Sequence, residues 1–483
     1  MFTFIISLAA LIAGYFIYGR FIEKIFKADS KRETPAYSQQ DNIDYIPMPW
    51  WRAFLIQFLN IAGLGPIVGA VLGAAYGPIA FLWIVVGNIF GGAVHDYFSG
   101  MISIRMGGMS IPEIIGKYLG ISMKQFMRGF TLFLMILVGA AFISGPAALL
   151  SALTPEYLTK NIWVFIILGY YILATLLPID KIIGRVYPIF GLALLIMALG
   201  IGGAIFFQGY LNNIPELVPS NFFNMKSNAE SYPIFPMLFV TISCGAISGF
   251  HATQSPMMAR CLKNEKQGRK VFYGAMITEG VIALIWAAIG MSFYGGVGEL
   301  NQTIAQYKGE ATIMIREISY TTLGKLGGIL AILGVVAAPI TTGDTAFRSA
   351  RLIVADFLRI PQQKIWKRIW VSLPLFIVGF VLTQVKFDII WRYMFWSNQV
   401  LATVVLWAIT IYLRKETRYS VLCLIPALFM TAVVTSYIII SPEGLGLAHP
   451  IGNIGAVVAM LICYALYLFP VFKGKTKEEE KQA

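Results

Sequence analysis

The sequence alternates long apolar runs with short loops, and blocks of Lys and Arg recur in every second loop. Thirty of the 37 basic residues fall in one set of alternate loops, which leaves seven for the other loops and for the apolar runs. Membrane proteins keep Lys and Arg on the cytoplasmic side of the bilayer, so this asymmetry indicates a chain that crosses a membrane many times. The composition agrees, because 58% hydrophobic and 13% charged residues are not typical of a water-soluble protein of 483 residues.

We predict an all-α polytopic membrane protein with about 13 transmembrane helices, counting roughly 20 apolar residues for each crossing. The predicted spans lie near residues 3–19, 54–75, 79–104, 129–152, 162–178, 186–208, 236–258, 271–294, 324–348, 369–385, 389–412, 420–440 and 452–472. Because the basic loops alternate with loops poor in Lys and Arg, the N-terminus is expected outside the cell and the C-terminus inside.

Ten of these spans divide into two sets of five. Since five is odd, the two sets would have opposite orientations in the membrane, which is typical of secondary transporters built from inverted repeats. The predicted units are a first transmembrane helix with a cytoplasmic loop (1–53), a first five-helix repeat (54–208), an external loop (209–235), a second five-helix repeat (236–413), two accessory helices (414–472) and a cytoplasmic tail (473–483).

Each half opens with a span that contains helix-breaking residues. Proline removes a backbone donor and glycine lowers helix propensity, so both spans are expected to be discontinuous. Irregular backbone survives at mid-membrane depth only inside protein or beside a cavity, and the helix that starts near Pro66 would favour an anion such as a carboxylate. Close packing of small residues is the alternative explanation. The predicted substrate-binding residues are Asn60, Gly63, Gly65, Ser243, Gly245, Ser248, Gly249 and His251.

Ionisable and hydroxyl residues inside spans are the candidates for ion coupling, because a charge is costly to bury in a membrane. Asp96 could instead pair with Arg105, and Asp344 with Arg348 one helical turn away, and these alternatives stay open at this point. Neighbouring residues point in different directions on a helix, so the partners of His95 and Asp96 are expected on other spans. The predicted ion-coupling residues are His95, Asp96, Glu279, Thr341, Thr342 and Asp344. Asn60, Asn88, Asn398 and Gln399 could equally form interhelical hydrogen bonds, and for these four residues this interpretation is preferred.

Other classes of protein have little support in the sequence. The cations lie beside apolar runs, where they meet lipid headgroups, so a nucleic-acid partner is not expected. The four cysteines and the histidines lack metal-ligand spacing, and we predict neither a metal site nor a cofactor. The sequence contains no nucleophile–base motif, which argues against an enzyme, and no P-loop, which argues against an ATP-driven pump. It also lacks the repeated filter loops that are typical of a channel. The sequence does not indicate an oligomeric state.

Several motifs occur in the order seen in a known family. They are Ile61–Gly69 (IAGLGPIVG), Gly92–Asp96 (GAVHD), Ser243–Ala252 (SCGAISGFHA), Ala346–Leu352 (AFRSARL) followed by Asp356, and Asn398–Ala402 (NQVLA). From the second span to about residue 412 the chain resembles the carbon starvation protein (CstA) family. It departs from the family at Gln254–Met258, where a more Ser/Thr-rich stretch is expected, and it is shorter at its C-terminus than members associated with pyruvate uptake.

The resemblance implies a bacterial inner-membrane importer of peptides or pyruvate, driven by protons, whose core is similar to the LeuT-type five-plus-five inverted repeat. In LeuT-type transporters the span that corresponds to the one with Thr341, Thr342 and Asp344 carries a sodium site. We therefore predict a secondary active transporter that imports a small carboxylate-bearing solute, either a peptide, an amino acid or pyruvate, together with H⁺ or Na⁺. A membrane-embedded enzyme and a channel are the alternatives.

Overall fold

The computed structural model describes residues 2–177, 183–332, 336–385 and 387–469. Within these ranges the chain is helical, and the one pair of β-bridged residues, Met48 and Leu262, joins two loops. The predicted tail at 473–483 lies outside the described residues.

The first half of the chain contains helices of very different length. They are α1 (Phe2–Phe16), α2 (Tyr18–Phe26), α3 (Pro35–Ser38), α4 (Trp50–Ile61), α5 (Gly65–Ala74), α6 (Ile79–Val86), α7 (Ala93–Arg105), α8 (Ile111–Leu119), α9 (Ile121–Leu153), α10 (Lys160–Leu176) and α11 (Ile183–Phe207). A π-helical segment, Gly87–Gly92, joins α6 to α7 in one continuous span.

The second half contains the helices α12 (Phe239–Thr241), α13 (Gly249–Ala259), α14 (Gly274–Phe293), α15 (Val297–Gln306), α16 (Ala311–Ile332), α17 (Ala338–Leu358), α18 (Ile365–Leu382), α19 (Phe387–Glu416), α20 (Val421–Ile440) and α21 (His449–Leu468). The π-helical segments Ile234–Leu238 and Arg269–Tyr273 lead into α12 and α14. Short 3₁₀ segments lie at Tyr210–Asn213, Pro219–Asn221 and Glu265–Gln267.

Nine of the described helices are long and apolar enough to cross a membrane, and the bent pair α4–α5 brings the number to ten. The helix α10 is apolar but shorter, with 17 residues. The prediction of an all-α multi-pass membrane protein is therefore confirmed. The number of 13 spans and the five-plus-five repeat stay predictions.

One predicted span, 324–348, has different boundaries in the structure. Helix α16 begins at Ala311, before the predicted start of the span, and α17 continues to Leu358. The physical reason is that α17 buries charged side chains such as Asp344 and Arg348 against its neighbours. Its composition is therefore less apolar than that of a lipid-facing helix, and hydropathy alone places its end too early.

The helices around the two interrupted spans form the interior of the protein. Helix α17 packs against α9 and α4, α14 packs against α5, and α13 packs against α7 and α19. Helices α20 and α21 pack against each other, and α20 also packs against α19. The face that carries the Lys- and Arg-rich loops is called the basic face below.

Candidate functional site

The two interrupted spans contact each other at their breaks. Helix α4 ends at Ile61 and α5 starts at Gly65, with a bend of 48° between them. The second break is wider, because residues 242–248 between α12 and α13 are not helical. A methyl group added at Gly65 would lie 2.3 Å from Cys244 Sγ, so only a residue without a side chain allows this approach.

A small cavity of about 40 Å³ lies between the breaks. Gly63 and Gly65 form one wall, Cys244 and Phe250 form the opposite wall, and the remaining walls come from α9, α17 and α19. A single water molecule needs a cavity volume of about 10–15 Å³, so the cavity holds only a few water molecules. A solute of several heavy atoms therefore needs more room than the cavity offers.

Side chains of α19 fix the second break. Asn398 Oδ1 accepts hydrogen bonds from the Phe250 amide at 2.6 Å and from Ser248 Oγ at 3.2 Å. Gln399 Nε2 donates to the Ile247 carbonyl at 3.1 Å. Helix α19 thus provides hydrogen-bond partners for backbone groups on both sides of the start of α13, as buried polar groups require.

The span α6–α7 fixes the other end of the same break. Trp83 Nε1 donates to the Ile242 carbonyl at 2.9 Å. Asn88 Nδ2 donates to the Gly245 carbonyl at 2.9 Å and to the Met276 carbonyl at 2.8 Å. The prediction that Asn88, like the amides on α19, would form interhelical hydrogen bonds is confirmed.

A polar side chain beside the first break, that of Asn60, has no partner, as Ser243 Oγ has none at the second break. The prediction of an interhelical hydrogen bond is therefore wrong for Asn60 in the described residues. Asn60 is completely buried, and neither its amide nitrogen nor its amide oxygen has a hydrogen-bond partner in the described ranges. A buried amide without partners is costly, so such a group is expected to bind something else during function. The neighbouring helix α17 approaches closely, since a methyl group at Gly63 would lie 3.1 Å from Thr342 Oγ1.

Two histidines share one carboxylate behind the second break. Asp96 accepts hydrogen bonds from His95 Nδ1 at 2.8 Å and from His251 Nδ1 at 3.0 Å. All three side chains are completely buried. The contact between His95 and Asp96 differs from the expectation for neighbouring helical residues, because the short Asp side chain and the imidazole Nδ1 both lie near the backbone and can turn toward each other. His251, on α13, is the expected partner from another span.

The second nitrogen of His251 extends the cluster to α14. His251 Nε2 lies 3.6 Å from Glu279 Oε2, and neither group has a hydrogen-bond partner among the described side chains and backbone. Glu279 is also completely buried. With His251 Nδ1 on Asp96, the second ring nitrogen, Nε2, faces the Glu279 carboxyl group, and an imidazole and a carboxyl group are both able to bind a proton. We call these four residues, His95, Asp96, His251 and Glu279, the His–carboxylate cluster.

Cys244 connects the cluster with the cavity. It lines the cavity, and donor atoms of Cys244, His251 and Glu279 all lie within 4.8 Å of one another. A thiol, an imidazole and a carboxylate could also hold a metal ion, with one ligand fewer than a structural zinc site has. The sequence prediction of no metal site relied on spacing along the chain and remains untested.

Asp344 lies in a separate polar group on the other side of α17. Its carboxylate accepts a short hydrogen bond from the Tyr187 hydroxyl of α11, and Thr175 Oγ1 of α10 lies 3.5 Å away. Asp344 is completely buried, and within the described ion pairs it has no arginine partner, so the local pair with Arg348 is not formed. Thr341 and Thr342 donate to the Ala338 carbonyl within their own helix.

Arg348 and Arg351 instead bind Asp44, which lies in the loop between α3 and α4. Asp44 accepts hydrogen bonds from Arg348 Nη1 at 3.0 Å and from Arg351 Nη2 at 2.9 Å, and all three side chains are buried. Burial alone would raise the pKa of Asp44, but Arg351 and then Arg348 hold that pKa well below its usual range. We call this ion triad, together with residues 34–48, which include α3 and the loop that carries Asp44, the basic-face latch.

The latch seals the end of α13 as well as that of α17. Thr34 Oγ1 donates to the Leu262 carbonyl at 2.5 Å, and the Met48 amide donates to the Cys261 carbonyl at 2.9 Å. Cys261 itself is buried, with Sγ 3.7 Å from the Asp44 carbonyl. The loop therefore closes the basic-face end of the second interrupted span.

The structure brings together some of the predicted site residues and separates others. Gly63, Gly65 and Thr342 line the cavity. Gly245, Ser248 and Gly249 contribute to the second break, and His251 belongs to the His–carboxylate cluster. The side chains of Asn60 and Ser243 are buried without hydrogen-bond partners among the described residues. Asp96 does not pair with Arg105, because Arg105 binds Glu265. The cavity residues that the sequence analysis missed as site residues are Ile61, Val138, Phe142, Cys244, Phe250, Met394, Phe395 and Asn398. Four of these residues lie inside the quoted motifs, which was the signal available in the sequence: Ile61, Cys244, Phe250 and Asn398.

A helical membrane protein with two interrupted spans that meet at a small cavity has the architecture of a membrane transporter. The family model described as carbon starvation protein CstA matches residues 1–154 and 147–323. The chain belongs to the CstA family, as its motifs indicated.

Relatives with printed functions are transporters. The peptide transporter CstA of Bacillus subtilis is 25% identical, covering 95% of this chain and 94% of its own. The pyruvate/proton symporter BtsT of Escherichia coli is 26% identical, over 58% of this chain and 47% of its own. An uncharacterized membrane protein of Haemophilus influenzae is 46% identical, over 63% of this chain and 94% of its own.

A solved structure with the same fold is that of the manganese transporter of Eremococcus coleocola, in complex with an aromatic bis-isothiourea substituted compound. The TM-score is 0.56 at 12% sequence identity, and the similarity covers 88% of this chain and 97% of that chain. The likeness shows a shared transporter fold. The chain is thus a multi-pass membrane transporter of the CstA family.

Proposed function

We propose that the protein imports a small carboxylate-bearing solute, either a peptide, an amino acid or pyruvate, across the bacterial cytoplasmic membrane together with protons. The observation that carries this proposal is the small cavity between two broken spans with the His–carboxylate cluster directly behind it. The printed functions of two relatives, peptide transport and pyruvate/proton symport, support it.

The carboxylate is proposed to bind at the first break. Helix α5 begins at Gly65, in the cavity wall, so the positive end of its dipole faces the cavity. Asn60, next to the break, has an amide whose hydrogen bonds are unused. Among the described residues the cavity lining includes no Lys or Arg, so the proposed anion site uses backbone groups and an amide, without a cationic side chain.

The His–carboxylate cluster is proposed to carry the coupled proton. His251 and Glu279 face each other with no Lys or Arg in ion-pair contact with either group in the described chain. A buried pair without a counter-cation is most stable when it holds one proton, so a change in its surroundings during transport alters how many protons it binds. Cys244 lies near both His251 and Glu279 and also lines the cavity, so this change in bound protons takes place beside the solute cavity.

The two interrupted spans are proposed to belong to inverted five-helix repeats that rock against each other. The N-terminus is then outside, the C-terminus inside, and the basic face is the cytoplasmic face. In this arrangement the latch closes the cytoplasmic exit.

Uptake into proteoliposomes tests the proposal. Labelled pyruvate, alanine and dialanine are offered with an inward proton gradient, then with an inward sodium gradient, and protein-free liposomes are the control. We expect at least one solute to accumulate with the proton gradient and to leave again when a protonophore is added. No gradient-dependent accumulation of any of the three solutes would contradict the proposal. Accumulation with the sodium gradient alone would identify Na⁺ as the coupled ion in place of the proton.

The Asp344 group offers the specific alternative of a sodium or second proton site, and Asp344→Asn distinguishes its role. The amide can still accept the Tyr187 hydrogen bond but carries no charge. We expect uptake without its ion dependence, with the initial rate under a gradient falling to about that without one. Asp29→Asn, which removes a charge from an exposed loop position, is the matched control. If the ratio of the initial uptake rates with and without a gradient is unchanged in Asp344→Asn, the role of Asp344 is structural.

A further inference from the structure

A groove on the basic face is lined by residues that have no role in the proposed transport mechanism. It has a volume of about 680 Å³ and lies between the end of α2 and the turn from α19 to α20. One wall carries Lys24 and Lys27, and the other is formed by residues 415–419. We propose that this groove, called the headgroup groove below, binds the phosphate group of an anionic phospholipid.

The charge of the groove is strongly positive in the part of the chain that the structure describes. Lys24, Lys27, Lys415 and Arg418 line it, and all four are exposed. None of them forms an ion pair within the described parts of the chain. Glu416 is the single acidic residue in the lining, so cations exceed acids by three. An exposed concave surface with this excess attracts an anion.

Other cations of the basic face differ, because acids of the protein already neutralise them. Lys124 and Arg128 both bind Glu113, and Arg269 binds Glu23. Positive charge on this face therefore does not by itself produce an unpaired cluster. At the groove, moreover, Arg105 donates to the Phe26 and Lys27 carbonyls at 2.9 and 3.0 Å. The carbonyl end of α2 is thus already satisfied, and the neighbouring lysines stay available to a ligand.

The apolar part of the groove indicates a lipid as the source of the phosphate. Phe21 and Tyr419 meet edge to face with ring centroids 6.1 Å apart and join the two walls. Both rings are exposed, and Ile25 lies beside them. Helix α2 continues directly from α1 as one apolar span, so the groove opens where the membrane ends. A phospholipid uses both parts of such a site, with its phosphate on the cations and its acyl chains along the rings, as basic pockets at the cytoplasmic side do.

Native mass spectrometry of the purified full chain tests the proposal. Dioleoylphosphatidylglycerol and dioleoylphosphatidylcholine are added at equal concentration, and the lipid retained per protein is counted. We expect a preference for phosphatidylglycerol that falls about tenfold in the variant Lys24→Gln, Lys27→Gln, Lys415→Gln and Arg418→Gln. The charge-retaining set Lys24→Arg, Lys27→Arg, Lys415→Arg and Arg418→Lys is expected to keep the preference.

The matched control removes four other exposed cations from the same face, by Lys263→Gln, Lys266→Gln, Lys364→Gln and Lys367→Gln. An equal loss in this control would overturn the proposal, because binding would then follow net charge and not the groove. Equal retention of the two lipids by the wild-type protein would overturn it too. Glycerol 3-phosphate is added as a competitor, and complete displacement of the lipid at millimolar concentration would identify a soluble phosphate as the ligand in place of the lipid.

Discussion

Replacing His251 by Gln abolishes proton-driven accumulation if the His–carboxylate cluster carries the coupled proton. Glutamine can still donate a hydrogen bond toward Asp96, but it cannot bind a proton opposite Glu279 near neutral pH. We expect the initial uptake rate under a proton gradient to fall by about a hundredfold, the order of magnitude lost when a positioned proton-transfer group is removed.

Exchange measurements separate proton coupling from solute binding in this variant. With unlabelled solute at equal concentration on both sides, entry of labelled solute needs no net movement of protons. A variant that exchanges but does not accumulate has lost coupling, whereas loss of both places His251 in the solute site. His449→Gln is the matched control, because this third histidine lies at the start of α21, outside the cluster. Accumulation at the wild-type rate in His251→Gln would contradict the assignment.

The sequence predicts the membrane class and the first break well, because both depend on local properties. Hydropathy and the positions of Lys and Arg determine where spans begin and end. Gly63, Gly65 and Pro66 weaken a helix whatever surrounds them. Motifs around the breaks were sufficient to indicate the family. Predictions of this kind succeed because they need no knowledge of which helices are neighbours.

The contacts across the site could not be predicted, because they join residues that are distant in the chain. Asp44 lies in a loop that reads as a polar linker, yet it is buried against Arg348, for which the sequence suggested Asp344 as one of the alternatives. Cys244 appeared as an isolated cysteine, and only the contact of the second break with α14 places it near Glu279. The adjacent pair His95–Asp96 shows the same limit, since Asp96 contacts both its neighbour His95 and the distant His251, an arrangement that helical geometry alone does not suggest.

Replacing Asp44 by Asn is expected to open the basic-face latch. The change leaves Arg348 and Arg351 buried without a neutralising charge, and removing one partner of a buried ion pair typically costs about 3–5 kcal/mol. Cys261 is a natural reporter, because it is buried directly beneath the loop that carries Asp44. We expect its rate of maleimide labelling in the purified protein to rise at least about tenfold, which corresponds to roughly 1.4 kcal/mol of the expected change.

The remaining cysteines and a charge control make this measurement specific to the latch. Cys423 is buried within α20, so its labelling rises only if the whole protein unfolds. Glu33→Gln removes the same charge from an exposed position near the loop and is expected to leave Cys261 protected. Equal increases at Cys261 and Cys423 in Asp44→Asn would indicate global unfolding, and continued protection of Cys261 would remove the latch from the mechanism.

The pH dependence of the wild-type latch follows from the low pKa of Asp44. A carboxyl group whose pKa is lower in the folded protein than in the unfolded chain stabilises the fold above its unfolded value, and the contribution is lost as the pH falls through the folded value. Because the two arginines hold that value well below the usual range, Cys261 should stay protected from pH 8 down to pH 5. The latch then opens through movement of the transporter and not through titration of Asp44, so a proton gradient of physiological size would act at another site. Exposure of Cys261 between pH 6 and pH 5 in the wild-type protein would contradict this separation of latch and proton site.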